Sequence, residues 1–283
     1  MTPDILDLDA YLTRIGHTGA RDVCLPVLRA LVARHSAAIA FENIDPVAGR
    51  APSLDIGLLQ RKLVHGGRGG YCYEQNTLFL AALRAMGFSA VGLMARVRRG
   101  VPPDVETARS HMLLRVDLPE GPFLADVGFG GLTPTAPLAM RVDVEQETLH
   151  ETFRLMSVAA EFLLQSFVGD RWEDVYRFTQ QEECAADYEQ ANWFTATRPG
   201  ARFAHNLIVS LPGPGVRLTL FNRHFTERRV DGSRERRILR TPEDYGDVLR
   251  GVFGLALTPD DLAAVMAVVG RHDPDAPYGG NFS

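Results

Sequence analysis

The hydrophobic period of this chain changes at Gly87, and that change limits the folds open to it. Before Gly87, apolar residues recur at helical spacing over 9–15, 23–37, 56–64 and 72–86. Gly16, the pair Gly66 and Gly67, and Gly87 itself stand where such helices would stop, and Ser53 and Asp55 precede the third as N-caps. After Gly87, short runs alternate polar and apolar residues over 88–98, 111–118, 123–127, 152–158, 161–168 and 171–178. Turn residues such as Pro119-Glu120-Gly121 separate them. Successive strands without long helices between them predict an antiparallel sheet or barrel. The last third mixes strands at 206–211, 216–221 and 235–239 with helices at 242–252 and 259–269, the last opened by Thr258 as N-cap and Pro259 in its first turn. The fold class is therefore α+β, in three segments: 1–87, 88–190 and 191–283.

With 46% hydrophobic and 23% charged residues, the 283-residue chain can bury a substantial core. Its net charge of -5 gives no general attraction for nucleic-acid phosphates, and the arginines at 96, 98 and 99 and over 223–240 read as solvated strand or loop edges. No apolar run approaches the roughly 20 residues needed to cross a bilayer, and the N-terminus has no signal pattern. The three cysteines, Cys24, Cys72 and Cys184, form no disulfide framework, which points to a reducing, cytoplasmic setting.

Arg68-Gly69-Gly70-Tyr71-Cys72-Tyr73-Glu74-Gln75-Asn76 is the segment richest in chemistry. Two glycines allow close approach to the main chain and lead directly into a helix whose first turn holds Cys72. Unpaired N–H groups and the positive dipole end there favour a thiolate and the oxyanion of acyl transfer. Glu74 and Asn76 would brace the turn. Taken alone, Cys72 also fits a buried, inert thiol. Cys24, read as lying inside a helix, and Cys184 lack a glycine turn and read as structural. A phosphate-cradling loop fails because no Lys-Ser/Thr pair follows the glycines.

A thiol nucleophile needs a base, and the base needs an orienting group. His111 opens one strand and Asp126 ends the next, so a hairpin would bring them together. An aspartate closing an apolar strand ahead of Gly128-Phe129-Gly130-Gly131 is partly buried and needs a partner. A core histidine and a turn-capping aspartate remain open for each taken singly. The other seven histidines lie in polar, helix-end or loop contexts and read as solvated or capping. No second Cys or His stands at ligand spacing from these residues, so no metal site is expected.

The Arg68–Asn76 segment resembles the active-site signature of the arylamine N-acetyltransferases, prokaryotic type. Tyr11-Leu12-Thr13-Arg14-Ile15-Gly16, Phe41-Glu42-Asn43 and Asp126-Val127-Gly128-Phe129-Gly130 agree with it in order and approximate spacing. The resemblance spans most of residues 1–140 and continues more weakly to the end, and Leu132-Thr133-Pro134 departs from the aromatic-proline step that often follows the Gly-Phe-Gly turn. It implies a helical bundle (1–87), an antiparallel β-barrel (88–190) and an α/β lid (191–283), joined through an interdomain helix, around a cysteine-protease-like Cys-His-Asp core. The triad falls on Cys72, His111 and Asp126. Phe41, Val97 and Phe129 match the acceptor pocket, and Ser110 and Phe203 match positions near CoA. Acetyl-CoA is implied as co-substrate, with no permanently bound cofactor, and the acetyl group passes by ping-pong kinetics to an arylamine, hydrazine or N-hydroxyarylamine. The same chemistry allows an amide synthase that releases a polyketide chain, or a transglutaminase-like cysteine hydrolase. A non-catalytic binding protein on this fold is a further alternative.

Overall fold

The computed structural model describes residues 6–273; residues 1–5 and 274–283, the outer ends of the first and third segments, lie outside the described residues. The first segment holds α1 (Leu8–Arg14), α2 (Leu25–Ala38), β1 (Phe41–Glu42), α3 (Ile44–Val47), α4 (Ile56–Leu59) and α5 (Cys72–Ala85). Caps set their ends. Asp7 accepts from the Ala10 amide and Asp55 from the Leu58 amide. Helix α5 ends where Gly87 takes φ +89°, and the Gly87 and Phe88 amides close onto the Arg84 and Leu83 carbonyls. Cys24 is not inside α2 but is its N-cap, because Pro26 suits only the first turn of a helix. After Leu59 the chain widens into π-helical turns over Gln60–His65 in place of the regular helix expected there. The widened segment carries Lys62, whose ammonium lies 2.6 Å from both Asp45 and Glu74. Such turns recur where a functional contact takes precedence over the regular ladder.

The strands β2 (Ser89–Val97), β3 (Arg109–Leu118), β4 (Gly121–Ala125), β5 (Leu138–Ala139), β6 (Glu145–Glu147), β7 (Thr152–Val158), β8 (Glu161–Val168) and β9 (Arg171–Phe178) form one antiparallel sheet in the order β5-β4-β3-β2-β9-β8-β7-β6. Its two edges meet through Gln146, whose side-chain amide bonds both the amide and the carbonyl of Ala139, so the sheet is nearly closed into a barrel. Arg98 and Arg99 are buried rather than solvated: the Arg98 guanidinium binds carbonyls of Pro102, Pro103 and Val105 and ties down the loop between β2 and β3.

The remainder comprises α6 (Ala185–Thr197), α7 (Arg202–His205), β10 (Ile208–Gly213), β11 (Val216–Phe221), β12 (His224–Arg229), β13 (Arg234–Ile238), α8 (Pro242–Gly246), which continues in π-helical turns over Asp247–Val252, and α9 (Pro259–Val269). Thr258 caps α9 by accepting from the Asp261 amide. A second antiparallel sheet runs β1-β10-β11-β12-β13, so its first strand comes from the beginning of the chain. Ala40, Ile44 and Val47 accordingly join the core of this sheet with Leu207, Leu220, Phe253 and Val265. A second core joins the helices to one face of β2–β4, and a third fills the barrel around Leu113, Phe153 and Tyr176. Helices, barrel and second sheet together make the α+β fold. No helix among the described residues is long and apolar enough to cross a membrane.

Candidate active site

Cys72 is the first residue of α5, entered from extended backbone at Tyr71, and is 3% exposed. The glycines ahead of it answer to close packing. A Cβ at Gly69 would lie 2.1 Å from the Ala40 carbonyl oxygen, and one at Gly70 would lie 2.9 Å from the Glu74 carboxylate. Gly128 meets the same helix start from the barrel side, where a Cβ would sit 2.8 Å from the Cys72 Cα. The thiol points toward the Ser110 carbonyl oxygen at 3.9 Å. Ser110 is the extra residue of a β-bulge: Ala95 pairs with His111 and Arg96 with Arg109. Bulges re-aim the chain in this way beside active sites.

His111 and Asp126 meet across the β3–β4 hairpin, with His111 Nε2 2.7 Å from Asp126 Oδ2. Both are buried, at 2% and 0% exposure. Burial alone would lower the His111 pKa, but the Asp126 charge and hydrogen bond, with a further contribution from Cys72, raise it above its ordinary value. Burial would raise Asp126, yet the charge and hydrogen bond of His111, with bonds from Asn76 and Gly128, hold it below the usual carboxylate value. Both shifts favour the imidazolium–carboxylate form of the pair. With Nε2 engaged by Asp126, Nδ1 is the ring nitrogen left for the Cys72 side chain.

Four donors converge on Asp126: His111, the Tyr176 hydroxyl at 3.1 Å, the Asn76 side-chain amide at 3.0 Å and the Gly128 amide at 2.9 Å. Asn76, one turn beyond Cys72, also donates to the Met112 carbonyl and accepts from the Val127 amide. It therefore fastens the helix to both strands of the hairpin. Tyr176, on β9, was invisible to sequence reasoning because nothing local marks a strand tyrosine as facing a carboxylate 50 residues away. His35 also departs from the sequence expectation. It is fully buried in α2 rather than solvated, and burial lowers its pKa to about 4. Its Nδ1 accepts from the Tyr11 hydroxyl at 2.8 Å and its Nε2 donates to Gln75 at 2.7 Å, bracing α5 from behind.

The remaining sequence candidates fall into two aromatic groups. Phe129 stands edge-on to His111 at 5.1 Å and packs on Tyr176 at 5.3 Å. Val97 is the cross-strand partner of Tyr176 and lies on that side. Phe41 packs against Phe203 at 6.1 Å, and Phe203 meets Tyr71 at 5.6 Å. Gly130, at φ +87°, links the groups, since a Cβ there would touch the Phe41 ring at 3.4 Å. Ser110 borders the thiol itself. A thiol, an imidazole, a carboxylate and two apolar walls thus gather at the junction of α5, the barrel and the second sheet.

A family model described as N-acetyltransferase matches residues 24–262. The arylamine N-acetyltransferase of Escherichia coli is 38% identical over 277 residues, covering 95% of this chain and 98% of that protein. An arylamine N-acetyltransferase / N-hydroxyarylamine O-acetyltransferase of Salmonella typhimurium is 36% identical with the same coverage. The solved structure of the Mycobacterium marinum arylamine N-acetyltransferase in complex with CoA superposes with a TM-score of 0.89 at 36% identity, covering 94% of this chain and 99% of that one. Matches of this extent to named enzymes, over a fold of the same shape, make the chain a member of the arylamine N-acetyltransferase family.

Proposed function

We propose that the protein transfers an acetyl group from acetyl-CoA to an arylamine, arylhydrazine or N-hydroxyarylamine through an acetyl-Cys72 intermediate, in the cytoplasm. The observation that carries this reading is the buried Cys72–His111–Asp126 array, with the His111–Asp126 bond at 2.7 Å. The CoA bound to the Mycobacterium marinum enzyme and the names of the relatives support the donor and acceptor classes. Three free cysteines support a reducing compartment.

In the first half-reaction the Cys72 sulfur, its proton held by His111, attacks the acetyl carbonyl of acetyl-CoA. N–H groups of the first turn of α5 take up the oxyanion charge. The carbonyl re-forms, the C–S bond to CoA breaks, and His111 returns the proton to the departing thiolate. In the second half, the acceptor amine attacks the acetyl-Cys72 thioester, loses its proton to His111 and expels the Cys72 thiolate. Asp126 holds the ring orientation and the imidazolium charge throughout. The apolar walls at Phe129 and Phe41 suit an aromatic acceptor, and CoA would pass by Ser110 and Phe203. His111 gives up a proton in the first half-reaction and takes one in the second, and because CoA leaves before the amine attacks the acetyl-enzyme the kinetics are ping-pong.

The test is an acceptor screen that reads release of free CoA from acetyl-CoA. Amine-dependent release is expected, and Cys72→Ala should reduce it to the uncatalysed background while the circular dichroism spectrum stays unchanged. Turnover retained in Cys72→Ala would refute the proposal. Release independent of amine would indicate a hydrolase, and turnover with a carrier-bound acyl chain alone would indicate an amide synthase.

A further inference from the structure

Beside the triad lies a second buried ionic array for which the chemistry above has no use. Lys62 Nζ lies 2.6 Å from Asp45 Oδ2 and 2.6 Å from Glu74 Oε1. Arg68 pairs with Glu42 at 2.8 Å and reaches Asp261 at 3.3 Å, while Arg50 joins Asp45 to Asp261 at 2.6 Å each. Glu42, Glu74 and Asp261 are buried, and Lys62 is mostly so. The array runs from α9 to the start of α5.

Glu74 is its end nearest the nucleophile. It is 1% exposed and lies two residues after Cys72. While Oε1 takes the Lys62 ammonium, Oε2 accepts from the Tyr71 amide at 3.2 Å. The carboxylate also fills the space a Gly70 side chain would need. One side chain therefore fixes Gly70 and Tyr71, the two residues that deliver the chain to Cys72. Burial pushes the Glu74 pKa up to about 7, with the Lys62 charge pulling it down and the Glu42 charge adding to the rise. Lys62 itself is displaced upward, its burial outweighed by the Glu74, Glu42 and Asp45 charges. The two directions agree physically: one ammonium serves several acids and is tightly held, while Glu74, buried and without a second cation among the described residues, depends on it to stay ionised.

We propose that Lys62 and Glu74 are positioning residues for acyl transfer, the ammonium holding the carboxylate that fixes the Gly70-Tyr71-Cys72 backbone in its reactive geometry. Removing Lys62 leaves Glu74 as an uncompensated buried acid against the first turn of α5, and a lone buried charge is more disruptive than no pair at all. Replacing Glu74 by Gln at the same time removes the charge and keeps a carbonyl acceptor for the Tyr71 amide. This inference rests on Cys72 as the acyl carrier.

The experiment follows acetylation of Cys72 by acetyl-CoA in rapid-quench mass spectrometry, expressed per thiol titrated in the folded protein. Lys62→Met should slow acylation about tenfold, with half-saturation by acetyl-CoA changed less than about twofold, and Lys62→Met/Glu74→Gln should recover to within about threefold of the parent. Lys62→Arg, which keeps the cation, should stay within about threefold. A purely structural pair would lower the melting temperature and the fraction of titratable thiol but leave the rate per thiol at the parent value, and that result overturns the proposal. A loss that the double variant does not recover overturns it too. Should Lys62→Met fail to fold, Glu74→Ala, which removes the acceptor of the Tyr71 amide, decides: acylation per thiol about tenfold slower supports the proposal, and the parent rate contradicts it. An absence of adduct in the parent protein would instead strike the nucleophile assignment.

Discussion

Cys72 and Cys184 occupy similar local structure: Cys72 is the first residue of the 14-residue α5, and Cys184 is the N-cap of the 13-residue α6. Both are entered from extended backbone, and both have an acidic residue in the first turn, Glu74 and Asp187. Their partners differ in kind, a carboxylate for Cys184 and an imidazole for Cys72. The Cys184 thiol, exposed to solvent, donates to the Asp187 carboxylate at 3.0 Å, and that bond is the main reason the Asp187 pKa is lowered. Cys72 instead faces the His111 ring, which a buried carboxylate holds and whose pKa it raises, and the acid in its own first turn is matched by Lys62. Even Cys24 caps a helix. A helix start is thus shared by all three cysteines, and what sets one apart is the charged group brought to it from another element.

The contrast breaks first at Asp126. Asp126→Asn should cost on the order of 10³–10⁴-fold in kcat/KM, by analogy with serine-protease triads, whereas Asp187→Asn should leave the rate alone. A loss below about tenfold in a steady-state assay would reduce Asp126 to a structural role.

The same substitution should cost about 3 kcal/mol of stability, as expected when a buried pair loses one member. The pH window follows from the shifts. Asp126 has a lowered folded-state pKa, so its contribution is complete above its ordinary 3.8 and is lost as pH falls through the lowered value. His111 has a raised one, so its contribution is complete below its ordinary 6.5 and is lost as pH rises through the raised value. Urea unfolding of parent and Asp126→Asn should therefore differ most between these two values, and a difference constant from pH 3 to pH 9 would contradict the ion pair.

Tyr176→Phe removes one of four donors to Asp126 and should lower kcat about tenfold, the worth of a hydrogen bond to a charged group, with KM for the acceptor nearly unchanged. Cys184→Ala should show the smallest effect, within about twofold in all constants, since a surface substitution outside the site removes no contact to it.

Much of this was legible in the sequence because the decisive residues sit at element boundaries. Gly87 announced the end of α5, Thr258 and Pro259 the start of α9, and the Gly-Gly turn the start of the helix bearing Cys72. His111 and Asp126 could be placed together because adjacent strands with a tight turn pair in one way. What escaped depends on contacts distant in sequence. Tyr176 reaches Asp126 from β9, and Lys62 reaches Glu74 through a π-helical turn that periodicity does not reveal. Helix α6, at the place of the interdomain helix that the family resemblance implies, does not show in the periodicity because its apolar residues form no single stripe: Tyr188 is buried while Trp193 and Phe194 are exposed. Strand β12 (His-Phe-Thr-Glu-Arg-Arg) carries too many charges to alternate cleanly, and its pairing with β11 and β13 holds it in the sheet.

The most direct test of the central claim is peptide mapping after brief exposure to acetyl-CoA without acceptor. One acetyl group should appear on the Cys72 peptide, none on Cys24 or Cys184, and an arylamine should discharge it as the N-acetyl product. An unmodified Cys72, or acetyl carried equally by the exposed Cys184, would contradict the assignment of Cys72 as the residue that holds the acetyl group between donor and amine.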